Sequence, residues 1–278
     1  MRIAVFQVYD ERLLEFANRD DEGKHCLLLT EVVNYYCKKH NYTHLLHYVS
    51  ENFKKSADFL KHITNPLTDK PIADLGQIQH TKFYALGEVL TLLENNEYDY
   101  VCMIDVDMGV YDFNKSILDY LNLLNAFDKS LVAGAECISA KLMFDGRQPN
   151  GGVYLFKNTQ WTKRFLKGMI NAIQLIGYSA FRLSDCCMDQ MQFAFAAMVC
   201  PDCDREMLIT DGFQNIQHRY FPMYYPELGK FNENHLFIHF AGKHKAAIVK
   251  YLEIIKNMDN NINIDNYLKS HELSIKHL

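Results

Sequence analysis

Residues 99–109 read DYVCMIDVDMG, an apolar run that ends on two aspartates with one residue between them. Alternation along an extended segment would put Asp105 and Asp107 on one face, about 7 Å apart along the chain. Like charges that close repel unless something positive lies between them. A strand finishing this way asks for a cation, and paired carboxylates suit a hard divalent ion, Mn2+ or Mg2+. The bland alternative is a polar strand end in which one aspartate caps the following turn.

The flanking sequence sets the fold class. RIAVFQV (2–8) and THLLHYV (43–49) read as strands, as do DYVCMIDVD (99–107), SLVAGAE (130–136) and GGVYLFK (151–157). Between them lie segments of helical spacing at 24–40, 81–96 and about 116–124, then 159–176 with Thr159 as its N-cap. Further on, 188–199 reads as a helix, 206–210 as a short strand and 235–242 as a strand running into a loop. Strands interleaved with helices predict an α/β protein with a Rossmann-like mixed sheet flanked by helices. With no internal repeat and no Gly/Ser linker, one domain is expected over 1–278, with a helical C-terminal tail from about 246.

Composition narrows the function classes. Of 278 residues, 49% are hydrophobic and 23% charged, as in a soluble globular protein. A net charge of −5 excludes a generally basic nucleic-acid binder but leaves room for a local cationic pocket. No apolar run reaches the roughly 18 residues of a membrane span. The chain opens on a strand without a leader, so the cytosol is the expected compartment, with peripheral contact at a cytosolic membrane face left open. The eight cysteines sit in apolar contexts, which fits reduced thiols better than a disulfide framework. Cys186, Cys187, Cys200 and Cys203 are numerous enough for zinc, but adjacent cysteines ligate one tetrahedral ion poorly.

Four more segments carry chemistry-bearing residues. HLFIHFAGKHK (235–245) ends a strand on His239 and continues into Gly242 and Lys243. A neutral imidazole ligates Mn2+, glycine permits close backbone approach, and lysine supplies charge to a phosphate. Lys82 lies near the start of the helix of HTKFYALGEVL, where it either meets a phosphate at the helix N-terminus or stands as a solvated helix lysine. In RQPNGGVYLFK, Asn150, Gly151 and Gly152 form a tight turn into a strand, close enough in character to approach a small ligand. Asp189 and Gln190 open the helix MDQMQFAFAAM, where a cap is the bland account.

Taken in order, YYCKKHNY, HTKFYAL, YDYVCMIDVDMGV, NGGVYLFKNTQW, MDQMQFAF and HFAGKH resemble retaining nucleotide-sugar glycosyltransferases of the GT-A fold. The resemblance is to glycosyltransferase family 34, the galactosyl-, mannosyl- and xylosyltransferases of fungal and plant Golgi, with the glycogenin-like family as a near neighbour. It implies a single GT-A catalytic domain that uses Mn2+ (or Mg2+) and a UDP- or GDP-sugar donor. Asp105, Asp107 and His239 would hold the metal against the donor diphosphate. Lys82, Gly242 and Lys243 would contact the nucleotide or its phosphates, and Gln7, Val8 and Tyr9 would lie near base and ribose. Asn150, Gly151 and Gly152 would line the donor-sugar pocket, and Asp189 and Gln190 would stand on the reaction face. A glycan, glycolipid or glycoprotein hydroxyl would be the acceptor.

The sequence also departs from that pattern. The strand before the aspartates is less aromatic than the family's, and Met108 and Gly109 replace its more typical residues. Golgi members carry an anchor and stem that this chain lacks, which points to a bacterial or viral relative in the cytosol. Two other readings are a catalytically inactive nucleotide-sugar-binding scaffold and a haloacid-dehalogenase-type phosphatase. The phosphatase needs threonine or valine where Gly109 stands, and a later acidic pair that has no convincing counterpart.

Overall fold

The computed structural model describes residues 1–9, 22–48, 81–135, 149–176, 193, 196–197, 199–210, 214–216, 236–240 and 246–258. In chain order its elements are β1 (Ile3–Tyr9), α1 (Glu22–Lys39), β2 (Thr43–Tyr48), α2 (Thr81–Glu94), β3 (Tyr100–Ile104), β4 (Met108–Val110) and α3 (Ile117–Leu123). They continue with β5 (Leu131–Ala135), β6 (Pro149–Lys157), α4 (Gln160–Ile176), α5 (Cys203–Glu206), β7 (Met207–Thr210), β8 (Gln214–Ile216), β9 (Phe237–His239) and α6 (Ala246–Met258). Six strands form the main sheet in the order β2-β1-β3-β6-β5-β7, and a second sheet runs β4-β9-β8. In the main sheet β1 is parallel to β2 and β3, β6 is antiparallel to both its neighbours, and β5 is parallel to β7. The mixed α/β sheet expected from the sequence is the one found.

Each face of that sheet is buried under helices. One face of β1, β3 and β6 packs with α1, β4, β9 and α6, through residues such as Val5, Val32, Cys102, Phe237 and Ile248. The other packs with α2 and α4, through Phe6, Val89, Val101, Phe156 and Phe165. Strands buried on both faces read as continuous apolar runs, which is why YVCMI shows so little polarity.

Local chemistry sets the helix ends. Ser116 and Asp119 form a reciprocal capping box at the start of α3, and the Thr159 hydroxyl accepts from Thr162 N at 3.1 Å at the start of α4. Asn41, Asn96 and Asn125 take left-handed conformations just past α1, α2 and α3. At each, paired backbone bonds close the last turn, such as Asn41 N to Lys38 O and Tyr42 N to Cys37 O. This is the arrangement in which asparagine substitutes for glycine after a helix.

One expectation is corrected. The strand expected across 99–107 stops at Ile104, and Asp105 and Asp107 are not alternate residues of an extended strand. The chain turns at Val106 and Asp107, closed by Met108 N to Asp105 O at 3.2 Å, and a separate strand then begins. β8 and the short α5 were not anticipated. Of the helix expected at 188–199, Phe193, Ala196, Ala197 and Val199 are helical. Asp189, Gln190, Gly242, Lys243, Cys186 and Cys187 lie outside the described residues.

Among the described residues no helix is long and apolar enough to cross a membrane. Cys26, Cys37, Cys102, Cys200 and Cys203 are reduced thiols, not joined in disulfides. Cys203 donates to the carbonyl oxygens of Cys200 and Ala197, and burial pushes its thiol up to about 12.

Candidate metal centre

Three facts of topology build the site. Parallel β1 and β3 end on the same side of the sheet, and β6, antiparallel, begins there. Ile104 faces Val153 across the β3–β6 pair, and Asp105 N donates to Gly152 O at 3.0 Å. This ties the first aspartate to the Asn-Gly-Gly segment. In the second sheet Met108 is registered against His239, and Phe240 N donates to Asp107 O at 2.9 Å. A histidine more than a hundred residues downstream is thereby delivered to the turn.

The result is a compact group in which one ligand atom from each of Asp105, Asp107 and His239 lies within 4.8 Å of the other two. His239 Nε2 stands 3.4 Å from Asp107 Oδ1 and 4.0 Å from Asp105 Oδ2. The imidazole is buried, and the two carboxylates keep 25% and 13% of their side-chain surface for Asp105 and Asp107. The site is therefore enclosed but reachable. At such a spacing two ionised carboxylates repel by about 3–4 kcal/mol at an effective dielectric near 20. A divalent cation converts that repulsion into attraction.

The imidazole is oriented from behind. Asn150 Oδ1 accepts from Gly152 N at 2.8 Å, which fixes which end of the amide faces inward. His239 Nδ1 stands 3.0 Å from the same oxygen and so carries the proton. Nε2 is left with its lone pair toward the carboxylates, the tautomer a metal requires. Gly152 is needed for this contact: a Cβ there would lie 2.5 Å from His239 Nδ1 and 2.8 Å from Asn150 Oδ1. Asn150, Gly151 and Gly152 are all buried behind the group.

Gln7 supports the other end of the turn. It is fully buried and its Nε2 donates to Asp105 O at 3.0 Å. Its Oε1 faces His44 Nε2 at 2.9 Å, so the histidine is the donor. Burial, with Lys38 adding to it, holds the His44 imidazole down at about 4, neutral at physiological pH. Tyr9 is also fully buried and meets Tyr48 edge-on at 6.0 Å, while Val8 is half-buried on the opposite face. Lys82 lies in the first turn of α2, and its side chain is outside the described part.

Met108 and Gly109, unexplained by the sequence alone, begin the strand that pairs with β9. Gly109 lies directly under Tyr251 of α6, where a Cβ would come within 2.8 Å of the ring. Sequence reasoning missed His44 and Tyr251. Tyr251 lies on the apolar stripe Ile248, Tyr251, Leu252 and Ile255, so its burial was readable but its partner was not.

Two carboxylates and an imidazole that presents Nε2 to them form a donor set that fits Mn2+ or Mg2+. No protein-family model matches the sequence, and no curated protein matches it. Among solved structures, the chain is similar to a glycosyltransferase involved in the glycosylation of the major capsid of PBCV-1. That match has 14% identity and a TM-score of 0.56, covering 91% of this chain and 100% of that one. The galactosyltransferase LgtC, solved with donor and acceptor sugar analogues, matches at 15% identity and a TM-score of 0.47 over 86% of this chain and 87% of that one. Mouse xyloside xylosyltransferase 1 matches at 9% identity and a TM-score of 0.47 over 87% and 98%. The first likeness establishes the fold, and the GT-A architecture expected from the sequence is the one the chain adopts.

Proposed function

We propose that the chain is a metal-dependent glycosyltransferase, of the kind gathered in family 34 and the glycogenin-like family. It moves a hexosyl or pentosyl group from a UDP- or GDP-sugar to a hydroxyl of a glycan, glycolipid or glycoprotein, with retention of anomeric configuration. The observation that carries this reading is the convergence of Asp105, Asp107 and His239 at the carboxyl end of β3, on a fold shared with a glycosyltransferase. In open α/β sheets ligands bind beyond the carboxyl ends of the strands. The reading treats 1–278 as one catalytic domain acting in the cytosol.

When bound, Mn2+ or Mg2+ would supply Lewis-acid neutralisation of the departing diphosphate. Asp105, Asp107 and His239 Nε2 would hold it, Asn150 keeps the proton on His239 Nδ1, and Gln7 fixes the carbonyl of the turn. Lys82, Gly242 and Lys243 are assigned to the nucleotide and its phosphates. As the sugar–diphosphate bond breaks, positive charge develops at the anomeric carbon. Asp189 and Gln190 are assigned to that face, stabilising the cationic sugar while the acceptor oxygen attacks from the side the diphosphate leaves. The acceptor proton passes to the departing diphosphate oxygen.

The test is a panel of UDP- and GDP-sugars incubated with the protein and Mn2+, with release of nucleoside diphosphate as the readout. Release from one or a few donors, silenced by EDTA, is expected. Undiminished release in EDTA contradicts the metal assignment. Tight binding without release, even with a broad acceptor pool, supports an inactive binding protein instead.

A further inference from the structure

Tyr251, in the middle of α6, contacts β4, which follows Asp107, and Phe240, which follows His239. Among the described residues β4 is an edge strand of the second sheet, with β9 on one side. On its other side the Tyr251 hydroxyl accepts from Val110 N at 2.9 Å and donates to Val110 O at 2.6 Å. One side-chain hydroxyl thus satisfies the outward backbone donor and acceptor as a neighbouring strand would. Burial raises the phenol well above its ordinary range, so it stays protonated and makes both bonds at any working pH.

The ring is used as fully as the hydroxyl. It occupies the space a side chain at Gly109 would fill, two residues after Asp107. Its other contact is Phe240, with ring centroids 5.3 Å apart, and Phe240 directly follows His239. Phe240 N in turn donates to Asp107 O. Asp107, the two strands, Phe240 and Tyr251 therefore form one closed circuit of contacts, and sliding β4 against β9 would break it.

We propose that Tyr251 is a positioning residue for the metal centre, locking β4 to β9 so that Asp107 and His239 Nε2 stay within reach of one ion. This makes the C-terminal helix a working part of the site. The proposal rests on the metal reading of Asp105, Asp107 and His239.

The test measures Mn2+ binding directly, from the free-ion EPR signal, together with melting temperature. Tyr251→Phe keeps the ring and removes both hydrogen bonds. Trp161→Phe is the control, removing a part-buried 2.7 Å bond to Pro201 O on the far face of the sheet. Tyr251→Phe, which acts through β4 and Phe240 and not on a ligand directly, should weaken Mn2+ binding by up to about tenfold, the lower end of the loss when a ligand's own partner is removed. Trp161→Phe should lower the melting temperature and leave Mn2+ affinity unchanged. Gly109→Ala, which pushes the ring away from the opposite side, should weaken binding at least as much as Tyr251→Phe. If Tyr251→Phe and Gly109→Ala bind Mn2+ like the parent while melting earlier, Tyr251 is packing alone and the proposal falls. If the parent itself binds no Mn2+ in a manner lost on Asp107→Ala, the metal reading falls and takes this proposal with it.

Discussion

Strand β3 has a carboxylate at each end, and the two ends are built differently. At its start Asp99 accepts from Arg2 N at 2.6 Å and lies 3.9 Å from the Arg2 guanidinium, with 47% and 62% of the two side chains open to water. The surrounding groove of about 800 Å³ is lined by Arg2, Asp99, Lys157 and Lys163. There opposite charges meet in solvent, an arrangement worth about 0.2–1 kcal/mol. At the other end Asp105 and Asp107 are drawn together against a buried imidazole, and neutral amides hold each piece in place. A fold tolerates repelling charges under cover when something it binds relieves them. The groove lies at the solvent-exposed end, so the chemistry is marked by electrostatic cost under cover and not by the groove.

If that contrast is right, Asp107→Asn has the largest effect. It should reduce sugar transfer by about a thousandfold or more, the scale of losing metal stabilisation of a leaving group. Without metal the variant should melt no earlier than the parent, because a repulsion has been removed. Release of nucleoside diphosphate checks the first and calorimetric melting without metal the second; an early-melting variant would mean the carboxylates stabilise the empty fold.

Next in size is Gly152→Ala. Its new methyl must displace His239 or Asn150, so Mn2+ affinity should fall by about tenfold while β6 stays paired. Metal titration by EPR decides, and parent-like affinity would show that the histidine's placement is not what the site depends on.

A smaller effect comes from His44, which is neutral in the fold and held at about 4 by burial. The unfolded chain takes up that proton near its ordinary value of about 6.5. Stability is therefore complete above about 6.5 and is lost as pH falls toward 4. Replacing it with Asn should flatten the melting-temperature profile across that window, and an unchanged slope would place the acid sensitivity elsewhere.

Arg2→Ala, at the opposite end of β3, should cost less than about 1 kcal/mol and leave Mn2+ affinity untouched. A change in metal binding there would break the separation between the two ends.

Much of this was legible in the residues. β1, β3 and β6 are apolar runs because they are covered on both faces, and the helices between them carry the expected spacing. Three of the helix ends are also written in sequence, at Asn41, Asn96 and Asn125. The break between β3 and β4 was not legible, since VDMGV contains no proline and only one glycine after the turn. It exists because β9 pairs with 108–110, a contact no local pattern records. Gln7 shows the reverse case. It shares strand parity with Val5 and Tyr9, so alternation already placed it on the same buried face as those two residues. Asp105, Asp107 and His239 were identifiable as candidates, but the residues that aim them, Asn150, Gln7 and Tyr251, act through distant pairings.

The central claim is that these three side chains form one metal centre for a nucleoside-diphosphate sugar. Calorimetric titration of UDP and GDP into the protein, in Mn2+ and then in EDTA, tests it most directly. One nucleotide should bind in Mn2+ and be lost both in EDTA and on Asp107→Ala. Equal binding in EDTA, or full binding by Asp107→Ala, would contradict the account.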